Sequence, residues 1–220
     1  MKLHLSRPWL IASFDRPLRA LSWSLNRPGF VLATRVVWRE VRNADLPVDL
    51  DARGWFNNTL IAAGYGDAIG LITSRDVQRY VTAQSVCDHV SAEVVATVGL
   101  SNAERVGHRK AVIPATTGTI NTLVSVSTAL SDAALIEAMS VAAQARTTAV
   151  LENGPDLPGI GRATGTGTDC IVVAAPSGDE PHAGLHTATG HAIGAAVLDA
   201  MNRGVQDWMQ EQESGHAGSH

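Results

Sequence analysis

The chain has 220 residues, of which 45% are hydrophobic and 17% are charged, and its formal net charge is -4. This composition is typical of one globular domain and excludes a disordered or fibrous chain. Scattered arginines and a negative net charge argue against nucleic acid or a membrane as partner, and no apolar run reaches the roughly 18 residues of a membrane helix. We therefore expect a cytoplasmic protein with one domain at residues 1–209 and a disordered tail at 210–220.

The first half of the chain is rich in predicted strands. Apolar and β-branched residues predict a strand over Phe30–Val41, and a capped helix follows at Asp51–Ala63. Residues 68–73 form the next predicted strand, after which Ser74 is predicted to cap a short helix. Residues 81–100 alternate loosely and predict two strands joined by a turn.

The second half mixes strands with helices. Thr116-Thr117-Gly118-Thr119 introduces a predicted strand at Ile120–Val126, and a long alanine-rich helix is predicted from Ser131 or Asp132 to Asn153. A further strand is predicted to end at Ala174, and the last helix has apolar residues at fourfold spacing. Strands that are partly consecutive and partly separated by helices predict an α+β layered sandwich with a mixed or largely antiparallel sheet.

Three polar junctions each join a glycine-rich turn to a strand or a helix, at Gly118–Thr122, Thr164–Asp169 and Gly184–Gly190. The second reads Thr-Gly-Thr-Gly-Thr-Asp and precedes a strand, whereas nucleotide-binding glycine loops follow a strand and open a helix. A solvated hairpin or bulge is the simpler interpretation of such a segment. If the three junctions converge, they form a pocket lined by amide, hydroxyl, carboxylate and imidazole groups.

Three residues in these junctions have both a structural and a functional interpretation. Asp169 lies where loop becomes apolar strand, so it is either a turn residue that accepts N–H bonds or a buried general base with a raised pKa. His186 begins the last helix, whose dipole favours a neutral imidazole, and it is either a base or a capping histidine. Asn121 is either a ligand-binding amide or a turn residue.

Histidine and cysteine spacing predicts neither a metal site nor a nucleophilic thiol. His182, His186 and His191 are spaced like zinc ligands, but His182 lies in a predicted loop, so the helical geometry fails. Cys170 lies inside an apolar strand with no adjacent cation to lower its pKa, and it is predicted to be a small buried hydrophobe. The two cysteines are distant in sequence and are expected to stay reduced.

Five short motifs occur in order along the chain: Ala68–Thr73, Val98–Ala103, Gly118–Thr122, Gly165–Asp169, and Gly184–Thr187 with Gly190 and Gly194. Over roughly residues 21–205, this order resembles the adenosylcobinamide amidohydrolase family. The resemblance implies hydrolysis of the amide joining the corrin propionyl side chain to aminopropanol, which releases adenosylcobyric acid in cobinamide salvage. It implies a corrinoid substrate and no cofactor, because the corrinoid brings its own cobalt, and it leaves a homo-oligomer open.

The resemblance also implies site residues. Asp169 and His186 are the implied catalytic pair, in which one activates water and the other orients or later protonates the leaving group. Asn121 and backbone N–H groups around the glycines of the second junction are the implied oxyanion donors. A covalent route through Thr166 or Thr168 stays open. The residues implied to bind substrate are Asn102, Thr119, Asn121, Thr122, Gly165, Thr166, Gly167, Thr168 and Thr187.

The chain departs from the family pattern at several positions. The long helix has Ala143-Gln144-Ala145-Arg146 where the family has Thr-Glu-Ala-Lys, and Leu185 and His191 stand where it has Lys and Glu. Two other classes of function stay open. One is a non-catalytic corrinoid carrier, whose Asp-x-His-x-x-Gly loop is only approximated by Asp179–Gly184. The other is an amidase or phosphate-binding hydrolase with a different ligand.

Overall fold

The structure is a computed structural model that describes residues 1–42, 45, 47, 49–108 and 118–217, apart from the side chains of 215–217. The strands of its main sheet are β1 (Lys2–Ser6), β2 (Trp9–Ser22), β3 (Gly29–Glu40), β4 (Ile69–Thr73), β5 (Val81–Cys87), β6 (Val90–Val98), β8 (Ile120–Val126) and β12 (Cys170–Ala175). Short pairs are formed by β7 (Ala103–Glu104) with β11 (Gly165–Thr166), and by β9 (Asp156–Leu157) with β10 (Gly161–Arg162). The helices are α1 (Ala52–Ala62), α2 (Asp132–Asn153) and α3 (Ala188–Ala217).

The main sheet is mixed. Its strand order is β4-β3-β2-β12-β8-β6-β5, and β1 pairs with the first half of β2. Two neighbouring pairs, β3 with β4 and β8 with β12, are parallel, and the other pairs are antiparallel. Three helices complete the described part of the chain, and none of them is long and apolar enough to cross a bilayer. The predicted α+β sandwich with a mixed sheet is therefore confirmed.

The sheet separates two apolar cores, because side chains alternate between the faces of a strand. On β8, Val124 packs in the core that α2 and α3 cover, whereas Leu123 packs in the core formed with β2, β3 and β4. The second core exists because the sheet curls over itself. Asn121 Nδ2 on β8 donates to the Ile72 carbonyl of β4 at 2.7 Å, although three strands lie between β8 and β4 in the sheet order.

Most predicted elements are present, with one local difference. The helix predicted over residues 51–63 is α1, and the long helix is α2, capped by Ser131 Oγ on the N–H of Ala134. Ser74 does not cap a helix; Asp76 caps a 3-10 turn at Val77–Arg79 instead. Thr116 and Thr117, which precede β8, lie outside the described residues.

The C-terminal segment corrects another prediction. The sequence predicts a disordered tail from Gln210 onward, but α3 continues to Ala217. An ion pair explains this, because Arg75 next to β4 forms two hydrogen bonds with the Glu211 carboxylate, one of them at 2.8 Å. Arg75 lowers the pKa of Glu211 through these bonds, so the carboxylate stays charged and tethers the helix. Residues 218–220 lie outside the described part of the chain.

Two glycines near the start of α3 have different surroundings. A Cβ at Gly190 would overlap the carbonyl oxygen of Gly184, which is a backbone atom and cannot move cheaply. A Cβ at Gly194 would lie 3.7 Å from Val141 Cγ1, which is ordinary van der Waals contact. Gly190 is therefore needed for close approach of two backbone segments, and Gly194 is not.

We expect Gly190→Ala to lower the free energy of unfolding by about 1–3 kcal/mol, because the new methyl group forces the backbone apart. Gly194→Ala is the matched control in the same helix, and it should leave stability unchanged or raise it by up to about 1 kcal/mol. Urea unfolding of both variants checks this. Equal destabilisation by the two substitutions would contradict the packing described here.

Candidate active site

The first two polar junctions converge at one end of the sheet. Strands β8 and β12 are parallel neighbours with Cys170 opposite Asn121, so the turns preceding them lie side by side. Hydrogen bonds connect these turns: Thr119 Oγ1 donates to the Thr168 carbonyl at 2.8 Å, and Thr168 Oγ1 donates to the Gly118 carbonyl at 2.9 Å. Of the three junctions that were hypothesised to converge, these two therefore meet.

The Asp169 carboxylate is the most heavily coordinated side chain of this region. It is only 8% exposed and receives hydrogen bonds from the Arg146 guanidinium, the Ile120 N–H at 3.0 Å, the Thr166 N–H at 3.0 Å and the Thr166 hydroxyl at 2.5 Å. Burial raises the pKa of Asp169, while Arg146 and the other donors oppose that rise. A guanidinium and backbone N–H groups can only donate, so this surrounding fits the ionised carboxylate.

Arg146 contacts Asp169, and the sequence did not identify it as a residue of this region. It lies on α2, its side chain is 14% exposed, and it forms a buried ion pair with Asp169. Gly165 leaves the room for this pair, because a Cβ there would lie 2.9 Å from Arg146 Nη1 and would overlap Asp169 Oδ2. The only signal in the sequence was the family's lysine at position 146, which did not reveal the partner.

A cavity of about 340 Å³ opens beside the converged junctions. It lies between the strand starts of β8 and β12 and the curled-over strand β4. Asp169 borders the cavity, although its carboxylate is directed towards Arg146 on α2. The residues that line the cavity are Trp23, Ser24, Leu25, Val41, Gly70, Leu71, Ile72, Thr73, Ser74, Gly118, Thr119, Asn121, Thr168, Asp169 and Cys170.

The cavity contains some of the predicted binding residues and excludes others. Thr119, Asn121 and Thr168 line it. Thr122 does not, because strand alternation turns its side chain towards α2 and α3, and this corrects the prediction that it binds substrate. The other predicted residues of the two junctions surround Asp169 or Thr168 without lining the cavity; they are Asn102, Gly165, Thr166 and Gly167.

Asn121 has the most constrained polar side chain in the cavity wall. It is 1% exposed, and one hydrogen of its Nδ2 is used by the Ile72 carbonyl at 2.7 Å. Thr97 lies opposite Asn121 in the register of β6 and β8, and its buried hydroxyl has no partner among the described residues. Asn121 therefore lines the cavity with an amide group whose hydrogen-bonding capacity is only partly used, whereas Thr97 lies behind it without lining the cavity.

The third junction lies at the other end of the sheet. The loop that carries His186 follows β12 and contacts the first turns of α2, where the Ala183 N–H donates to Glu137 Oε2 at 2.7 Å. Arg146, which contacts Asp169, lies nine residues further along α2, or about 13 Å at 1.5 Å per residue. His186 is exposed and does not line the cavity. The expected Asp169–His186 pair is therefore wrong, because strand direction separates the two residues.

Thr187 has a structural role at that far end. Its hydroxyl accepts from the Gly190 N–H at 2.9 Å and donates to the Gly184 carbonyl at 2.8 Å. This is the hydrogen bonding of a helix N-cap, and it starts α3. Thr187, which was predicted to bind substrate, caps this helix instead.

The structure also bears on Cys170 and on the grouping of possible metal ligands. Burial raises the pKa of the Cys170 thiol to about 12, so the residue is protonated near neutral pH and behaves as a buried hydrophobe, as predicted. Within the described ranges, no three His, Cys, Asp or Glu side chains are grouped as metal ligands.

Comparison with known proteins decides the family. A sequence model described as adenosylcobinamide amidohydrolase matches residues 1–213. The chain belongs to the adenosylcobinamide amidohydrolase family. As a member of that family the protein is an amidohydrolase, and the motifs in its first two junctions surround the cavity described above. No curated protein matches the chain.

One solved structure adds a distant likeness to this adenosylcobinamide amidohydrolase family member. It is the L-aminopeptidase D-Ala-esterase/amidase from Ochrobactrum anthropi, described as a prototype for the serine aminopeptidases and a new variant among the Ntn hydrolase fold. The match covers 92% of this chain and 76% of that chain, with 11% identity and a TM-score of 0.40.

We expect Asp169→Asn to lower the free energy of unfolding by about 3–5 kcal/mol, because it leaves the Arg146 charge buried without a counter-ion. Asp199→Asn is the matched control, since Asp199 pairs with Arg203 on the exposed face of α3, and it should cost no more than about 1 kcal/mol. Thermal and urea unfolding measure both. A stability loss at Asp169 no larger than at Asp199 would contradict the anchoring role of the buried pair.

Proposed function

We propose that the protein hydrolyses the amide between the corrin propionyl side chain and the aminopropanol of adenosylcobinamide, releasing adenosylcobyric acid and the free amine. The family match over residues 1–213 is the observation that supports this most. The cavity supports it further, because the motifs that carry the family resemblance supply its polar wall at Gly118, Thr119, Asn121 and Thr168.

The size of the cavity fits one part of this substrate. Small-molecule pockets are usually about 300–1,000 Å³, so a cavity of about 340 Å³ is at the small end of that range. It suits the aminopropanol arm with its amide, whereas a corrin macrocycle would remain at the mouth. In this arrangement the scissile amide enters the cavity and the bulk of the substrate stays outside.

The proposed base is Asp169. Among the described residues that line the cavity it is the only acidic one, and its Oδ1 lies 2.5 Å from the Thr166 hydroxyl. Thr166, Asp169 and Arg146 thus form a series of nucleophile, base and orienting group, in which each member contacts the next. Thr166 itself does not line the cavity, so a cavity water is the proposed attacking group, with the Thr166 hydroxyl as the alternative.

In the alternative through Thr166, the reaction proceeds through an ester on that residue. The hydroxyl oxygen of Thr166 attacks the amide carbon, and this attack forms a tetrahedral oxyanion. The hydroxyl proton passes to Asp169. The C–N bond then breaks, the proton leaves with the amine, and water hydrolyses the ester to release the acid. If water attacks first, Asp169 takes the proton of that water and no ester forms.

Asn121 is the proposed oxyanion donor. After it donates to the Ile72 carbonyl, its Nδ2 retains one hydrogen, and its buried position in the wall fixes the direction of that hydrogen. A donor fixed in advance stabilises developing charge without reorganisation. The amide side chain therefore has the capacity to stabilise an oxyanion that forms inside the cavity.

We expect Asn121→Ala to lower kcat by about 10²–10³, the usual cost of one oxyanion donor. His186→Ala is the discriminating control and should retain the wild-type rate, because that residue lies at the other end of the sheet. Liquid chromatography of cobyric acid formed from adenosylcobinamide measures both. If His186→Ala is inactive and Asn121→Ala retains a normal rate, the proposed site is wrong.

The same assay separates the other classes of function. Binding of adenosylcobinamide by the wild-type protein without any cleavage would indicate a corrinoid carrier. Neither binding nor cleavage would indicate an amidase for a different ligand. Formation of adenosylcobyric acid supports the proposed reaction.

Replacement of Thr166 distinguishes the two attacking groups. If Thr166 is the attacking group, Thr166→Val should abolish turnover and Thr166→Ser should retain it, because serine keeps the hydroxyl beside Asp169. Intact-protein mass spectrometry after rapid quenching should then show the mass of a corrinoid acyl group on the wild-type and Ser variants. Full activity of Thr166→Val would exclude the ester route and leave water as the attacking group.

A further inference from the structure

Trp23 is an exposed aromatic side chain at the cavity that the fold does not explain. It directly follows β2 and is 47% exposed. Of the large apolar side chains that are exposed in the described part of the chain, it is the one that lines the cavity. Exposing a large aromatic surface to water is unfavourable. A ligand or partner that covers the ring therefore binds with a more favourable free energy.

The indole ring is held in place by its polar end. Trp23 Nε1 donates to the backbone carbonyl of Asp169 at 2.6 Å, so one edge of the ring is tied to the start of β12. The ring belongs to a short apolar wall of the cavity that also includes Leu25 and Val41. A rigid aromatic ring beside an opening has the geometry of a stacking platform, because little side-chain entropy is lost when a flat group packs on it.

The substrate supplies a matching surface, in an argument that rests on the proposed function. Its scissile amide is joined to the corrin by a short propionyl chain, so the ring system must lie at the mouth when the amide is inside. We propose that Trp23 is the specificity-determining platform on which an apolar ring of the corrinoid packs during binding. Two rings have this chemistry, the corrin macrocycle and the adenine of the adenosyl group.

Substitutions at Trp23 separate packing from support of Asp169. Trp23→Ala removes both the ring and the N–H, whereas Trp23→Phe keeps an aromatic ring and removes the N–H. If the ring packs on substrate, Trp23→Ala should raise the Kd for adenosylcobinamide about tenfold, the size expected for a lost aromatic contact, while Trp23→Phe stays close to wild type. Trp55→Phe, in α1 and outside the cavity, is the control and should bind as wild type.

Equilibrium dialysis of the full chain, read by corrin absorbance, measures Kd for adenosylcobinamide and for dicyanocobinamide, which lacks adenine. A weaker affinity of Trp23→Ala for both ligands supports packing on the macrocycle, and a weaker affinity for the adenosyl form alone supports packing on adenine. Thermal unfolding of each variant confirms that it is folded.

Three results would overturn the platform. Wild-type Kd values in Trp23→Ala would show that no ring packs there. Equal loss of kcat in Trp23→Ala and Trp23→Phe with unchanged Kd would show that Trp23 acts only by supporting Asp169. If the wild-type protein neither binds nor cleaves adenosylcobinamide, the proposed function fails together with the platform, whereas the first two results leave that function intact.

Discussion

The ion pair between Asp169 and Arg146 holds together the end of the sheet where the cavity lies. Through one carboxylate it connects α2 to the start of β8, by way of the Ile120 N–H, and to the turn at Thr166. A buried charge is costly unless it is paired and hydrogen-bonded, and here the donors meet both conditions. The two junctions are therefore held against each other by the group that we propose as the base.

The curl of the sheet forms the cavity beside this ion pair. In open α/β sheets, ligands bind beyond the carboxyl ends of parallel strands. Here the cavity lies at the starting ends of β8 and β12, because β4 curls over that end and closes the second side. Asn121 fixes the curl through Ile72 and also lines the cavity, so one side chain joins the shape of the fold to the proposed chemistry.

Local sequence patterns predicted the elements whose signals are local. The caps and periodicity of α2 and the alternation of β8 are such signals, and both elements lie where they were expected. The long strand β2 was missed because its middle, around Asp15 and Pro17, is polar and exposed and forms an irregularity in the pairing with β3. Its partners β3 and β12 stabilise it, and neither could be identified from the strand's own residues.

The site could be predicted only in part, for the same reason. Each glycine-rich junction was visible in the sequence, but the end of the sheet at which it lies depends on strand direction. That direction brings Asn121 to Asp169 and leaves His186 beyond the opposite strand ends. The pairing of Asp169 with Arg146 joins a turn to a helix 23 residues earlier, and no local pattern encodes such a contact.

The arginine at position 146 has an electrostatic consequence of its own. A lysine at a buried position loses its proton more easily than one in water, because desolvation penalises an ammonium ion and lowers its pKa. A guanidinium keeps its charge throughout the pH range in which proteins fold. The buried partner of Asp169 is thus a guanidinium, whose planar N–H groups can only donate hydrogen bonds to the carboxylate.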